Sequence, residues 1–133
     1  MEKNWQCTNN ITAWDVTVIH PLQAATLAGA AANPGHALEV AVKRKNRGAL
    51  EDCRRQGIKF IPLAVESLGG WHESAVAEIR KLAAALARQT GQEERECRSH
   101  VFQRLSVSLV RGNCALFVNR IPENTAAEID GQE

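Results

Sequence analysis

Apolar and polar positions alternate along TAWDVTVIH, the run from Thr12 to His20, and the run is rich in β-branched residues. That pattern predicts a strand with Trp14, Val16 and Val18 on one face and Ala13, Asp15, Thr17 and Ile19 on the other. Pro21 ends it, and LQAATLAGAAA reads as a short alanine-rich helix. Asn33-Pro34 is a helix-start signal, an N-cap residue followed by proline at the first helical position. The helix it opens runs from about Gly35 to Gln56, with Gly57 as its stop. Ile58 to Glu66, IKFIPLAVE, predicts a second strand, and Pro62 within it argues for an edge position or a bulge. Ser67 to Gly70 is a turn. A helix follows from about His72 to Gln89, with Val76, Ile79, Ala83 and Leu86 as its apolar stripe and Thr90-Gly91 as its stop.

The last segment, Glu93 to Asn119, fits two patterns. Phe102, Leu105, Leu109 and Leu116 suit a helix, whereas LSVSLV and CALFV around Gly112-Asn113 suit a hairpin. The helical lead-in QEERECRSH decides for a helix. Strand, long connection, strand implies two parallel strands joined by a right-handed crossover helix. The expected organisation is an irregular segment at 1–11, an α/β core at 12–71, a helical extension at 72–121 packed on that core, and an acidic disordered tail at 122–133.

The 133-residue length suits one domain, and 44% apolar with 23% charged residues is ordinary for a globular chain. No apolar run reaches the ~20 residues of a bilayer-spanning helix, and the N-terminus lacks the apolar core of a secretion signal, so no membrane association is expected. Cys7, Cys53, Cys97 and Cys114 form no CxxC pair, which suits reduced thiols in an intracellular (nuclear or cytoplasmic) protein that is not secreted. Cys97 and His100 offer two zinc ligands on one helix face, with no second pair to complete a site. Net charge is only +1. From Lys43 to Lys59, however, seven basic residues (Lys43, Arg44, Lys45, Arg47, Arg54, Arg55, Lys59) stand against two acids, an excess of five positive charges. A stripe of that kind suits a phosphate backbone, and equally a solvated helix face.

Two residues break local rules. Asp15 is a carboxylate inside an apolar strand, where it requires a partner, a metal or water. Lys45 belongs to the basic run, yet at about 100° per residue it falls about 20° from Leu38, on the edge of the apolar stripe that Leu38 forms with Val42, Ala49 and Cys53. Lys43, Arg44 and Arg47 point away. One ammonium therefore leans toward the sheet, either as a snorkelling stem over apolar surface or toward the carboxylate. An aspartate and a lysine converging on one strand face suggest a metal-dependent phosphodiesterase site, the carboxylate holding the cation and the lysine stabilising developing charge or orienting water.

Trp14-Asp15-Val16-Thr17-Val18, a helix carrying Lys45 in KRKNR, and then FIPLAVESLGGW together resemble the restriction-like endonuclease domain of non-LTR retrotransposons, a PD-(D/E)XK nuclease fold that follows a reverse transcriptase. The resemblance covers about residues 12–71. It implies a restriction-endonuclease-like α/β core with a helical C-terminal extension, and an ancestral Mg²⁺-dependent hydrolysis of DNA phosphodiesters. On that resemblance Asp15 matches the second acid of the site and Thr17 stands where the fold's usual lysine would be. Lys45 matches the first lysine of the family's helical Lys-x-x-Lys-Tyr motif, with Gly48 and Ala49 in place of its Lys-Tyr. The family's Pro-Asp strand has no counterpart in residues 1–14, and Glu66 is the one nearby substitute for a second metal ligand. The expectation is therefore an N-terminally truncated, catalytically degenerate endonuclease-like domain. Lys43, Arg44, Arg47, Arg54 and Arg55 would contact DNA weakly and without sequence preference. The alternatives are a non-enzymatic nucleic-acid-binding module using the 43–59 stripe, and a helical protein-interaction domain built on 72–121.

Overall fold

The computed structural model describes residues 11–120. The expectations for the irregular N-terminal segment and the acidic tail lie outside the described residues, apart from Ile11. The element order is β1 (Thr12–Ile19), α1 (Leu27–Ala32), α2 (His36–Arg55), β2 (Lys59–Glu66), α3 (Glu73–Thr90) and α4 (Glu94–Val118). The described residues form a mixed α/β structure with four helices and a two-stranded sheet.

β1 and β2 are parallel and in continuous register, with Thr12 beside Lys59, Asp15 beside Pro62 and Ile19 beside Glu66. α2 is the crossover between them and packs on both strands. Paired residues of parallel strands point to the same face. Ala13, Asp15, Thr17 and Ile19 thus share the α2 face with Phe60, Pro62, Ala64 and Glu66. The core there is Ile19, Ala37, Leu38, Ala41 and Ala64, with Val42 against it. Alanines at full burial on both sides let the helix backbone approach the sheet closely, which leaves no room for larger side chains. On the opposite face α3 covers β2, where Ile61, Leu63 and Ala75 pack with Trp71. Trp71 is thus a core anchor, held by a bridge between Val65 and Trp71.

Two local expectations are corrected, and one pair of alternatives is decided. Asn33 does not open α2; its N–H closes α1 on the Gly29 carbonyl, and Gly35, at φ 83°, is the residue before the helix. That left-handed φ is one glycine adopts without steric penalty, so the turn residue and not the proline sets the start of α2. Of the two alternatives for Pro62 the edge position holds and the bulge does not, since β2 is an edge strand and the register runs unbroken past the proline. The buried stripe of α3 is Ala75, Glu78, Ile79, Ala83 and Ala87, while Leu86 is exposed. α3 packs against two neighbours, the sheet and α4, and Leu82 borders a groove between them.

α4 is one continuous helix of 25 residues, as the helical lead-in implied, with no hairpin at Gly112. It pairs with α3 and is tied to the turn after β2 by Asn113, whose side-chain N–H donates to the Ser67 carbonyl at 2.7 Å. Cys97 is buried while His100 is exposed, so the two do not converge as metal ligands. No described helix is long and apolar enough to cross a membrane.

Candidate functional site

The α2 face of the sheet holds Asp15 and Lys45 together. Asp15 projects from the middle of β1, and Lys45 sits two turns past the buried Leu38, on the flank of α2 that overlies β1. The Lys45 ammonium donates to both carboxylate oxygens, at 3.1 Å to Oδ1 and 2.9 Å to Oδ2. Side-chain exposures of 30% for Lys45 and 38% for Asp15 place the pair at the rim of the core, not within it. The helical-wheel position of Lys45 and the strand alternation together account for this contact. Lys43, Arg44 and Arg47 are exposed, as their wheel positions require. Arg54 and Arg55 are also exposed and lie 3.6 Å and 3.4 Å from Glu51 and Asp52, one turn away on the same helix.

Mg²⁺ keeps several waters and is held by one or two carboxylates together with substrate phosphates. The residues present fit that ion poorly. Both Asp15 oxygens are engaged by Lys45. Glu66 shares the α2 face but lies four residues along β2 from the position beside Asp15, a separation of roughly 13 Å at the strand rise. Its side chain instead folds over the following turn, where a β-carbon on Gly70 would come within 2.8 Å of Oε2. Among the described residues no group of three or more His, Cys, Asp or Glu side chains gathers to hold a metal.

Two polar features were not singled out in the sequence. Glu78, on α3, is 9% exposed beside a groove of about 190 Å³ lined by Trp14, Val16, Leu63, Trp71, Leu82 and Leu105. Its carboxyl is held below the usual carboxylate range, chiefly by the hydrogen bond from Lys81 at 2.6 Å; burial opposes this, and the charges of Lys81 and Lys59 and a contact from Trp14 reinforce it. A Glu-x-x-Lys spacing on a helix was the available signal, but such pairs are common on solvated faces. The second feature is His72, whose Nδ1 accepts from the Ser74 N–H and caps α3, while Nε2 lies 3.0 Å from Glu39 of α2. It links the starts of the helices on opposite faces of the sheet.

Comparison with protein-family models, with curated proteins and with solved structures finds no match to this chain.

Proposed function

We propose that this chain is a degenerate, restriction-endonuclease-like domain derived from a retrotransposon, which binds DNA through the outer face of α2 and does not cut it. The observation that carries the reading is the Asp15–Lys45 pair on a parallel strand–helix–strand unit. An acidic residue in the strand and a lysine on the crossover helix are the two site elements that the nuclease resemblance carries to this chain, and their contact supports the reading. The same geometry supports the degenerate state. The lysine occupies both oxygens of a lone carboxylate, so the pair acts as a structural ion pair and not as a metal cradle.

The outward face of α2 supplies the binding surface. Lys43, Arg44 and Arg47 are exposed and form no ion pair among the described residues. Arg54 and Arg55 are partly neutralised by their own-helix acids, so they contribute less to the field around a phosphate backbone. Binding of this kind follows counterion release and carries no base information.

The test uses the purified chain with supercoiled plasmid and with a labelled duplex. Expected are no nicking with Mg²⁺ or Mn²⁺, and retarded duplex whose affinity falls linearly in log–log form with salt. Metal-dependent nicking that Asp15→Asn abolishes, in a variant that still folds, would show a live enzyme. Absence of DNA binding at low salt would remove the reading altogether.

A further inference from the structure

The two edges of the sheet are not equivalent. Lys59 donates its N–H to Ile11 and Ser67 donates to Ile19, so odd-numbered residues of both strands face each other across the ladder. Even-numbered residues therefore turn their N–H and C=O groups outward. On β2 that outer edge is closed. Pro62 has no N–H, and Glu66 and Ala64 are bonded to Gly70 and His72 of the returning chain. On β1 the outward groups belong to Thr12, Trp14, Val16 and Val18, and among the described residues none of them has a backbone partner. This edge lacks the devices that normally blunt one: β1 contains no proline, no lysine and no bulge. Its single charge, Asp15, is already paired.

The space beside that edge has two walls. Around α3, Ser74 and Ala77 border the cleft at the outer edge of β2. The buried Ala83 and Ala87 lie on the other side, toward α4. α4 therefore lies on the β1 side of α3, and its Leu105 lines the same groove as Trp14 and Val16. Phe102 and Leu109, at helical spacing from Leu105, are half-buried on that flank. Trp14, Val16 and Val18 remain 47%, 63% and 51% exposed on that face of the sheet. On the opposite face Val42, Asn46 and Leu50 of α2 turn toward the outer edge of β2. The wheel thus sends Arg44 toward the open side of β1. The slot is apolar toward α4 and has Arg44 on its α2 side.

We propose that the outer edge of β1 is a strand-acceptor site for an extended segment of a partner protein, with apolar residues facing α4 alternating with acidic residues facing Arg44. Main-chain hydrogen bonds to Thr12, Trp14, Val16 and Val18 supply affinity, and the alternation supplies selectivity. A second copy of β1 suits the slot less well, because its residues on the α2 face, Ala13, Asp15, Thr17 and Ile19, offer one acid only, and that acid is already paired with Lys45. The open edge of β1 does not depend on the DNA reading, although Arg44 belongs to both surfaces, so the binding tests are made without DNA.

The probe is an end-capped peptide alternating valine and glutamate, soluble through its own charge, with a valine–lysine peptide as control. Binding is followed by amide chemical shifts, which resolve β1 residue by residue. The valine–glutamate peptide should perturb Thr12 to Val18. The lysine peptide should bind about tenfold or more weakly, since one opposed charge contact at a partly covered site is worth roughly 1.4 kcal/mol. N-methylation of the peptide amides that face β1 should abolish binding to the unmodified protein. Val16→Pro should do the same, because it removes an outward N–H and no ladder bond. Failure of the valine–glutamate peptide to bind, equal binding of the lysine peptide, or tolerance of N-methylation would each overturn the proposal. So would self-association that Val16→Pro reverses, since the occupant would then be a second copy.

Discussion

Asp15→Asn removes the charge of the strand carboxylate while keeping its shape, and it tests whether the Asp15–Lys45 pair holds the crossover helix on the sheet. Exposed ion pairs contribute about 0.2–1 kcal/mol. Removing one partner of a buried pair costs about 3–5 kcal/mol. With roughly a third of each side chain still in solvent, screening discounts the upper figure heavily. Lys45 can also swing its ammonium outward once its partner is neutral. The expected loss is therefore about 1–2 kcal/mol, a fall in Tm of roughly 5–10 °C for a domain of this size. A double-mutant cycle with Lys45→Met should return a coupling of about 0.5–1 kcal/mol, smaller in high salt. The assay is thermal and urea unfolding followed by circular dichroism for the four proteins. A wild-type Tm in Asp15→Asn, or a coupling that is zero at low salt, would refute the argument. The pair would then be incidental to a helix held by its alanine interface alone.

The remaining predictions concern charge and packing elsewhere. Arg44→Glu combined with Arg47→Glu should weaken duplex binding and lower the slope of log affinity against log salt by about one for each phosphate no longer neutralised, measured by fluorescence anisotropy; an unchanged slope would move the binding face off α2. Because the Glu78 carboxyl is lowered, its contribution to stability is present above its ordinary value of about 4.5 and is lost as pH falls through the lower folded value. Glu78→Gln should thus destabilise the protein at neutral pH and flatten the acid limb of its stability curve; parallel curves for the two proteins would contradict that linkage. Ala41→Leu should cost about 1–3 kcal/mol by overpacking the α2–sheet interface, whereas Ala85→Leu, on an exposed part of α3, should leave the urea midpoint nearly unchanged.

The strand–helix–strand unit was legible because its signals are local. Period-two alternation, a helix long enough for a crossover, and turn residues between them leave few topologies that obey chain handedness. The Asp15–Lys45 contact was legible for the same reason, since each residue's direction follows from its own element. What the alternation could not show is which face of β1 is covered. It grouped Trp14, Val16 and Val18 correctly, but an apolar face reads the same whether a helix lies on it or not. Burial of Glu78 was hidden likewise, because it depends on how α3 crosses the sheet and brings Lys59 and Trp14 near. The start of α2 depended on competition between a proline signal and a left-handed glycine, and the backbone requirement prevailed over the sequence preference.

One consequence joins these points. The same register that puts Asp15 under Lys45 also fixes the parity of every backbone group in the sheet. Odd residues of β1 bond to β2 and present their side chains to α2. Even residues of β1 turn their side chains to the opposite face and their backbone groups away from β2, to the open edge. Pro62 belongs to the outward-facing set on β2, where its missing N–H leaves no ladder bond unmade, and the sheet tolerates it for that reason. Val16 belongs to the corresponding set on β1, where a free donor and an apolar side chain remain. The difference between a closed and an open edge thus rests on residue type at matching parity, and Val16→Pro would give β1 the property that Pro62 already gives β2.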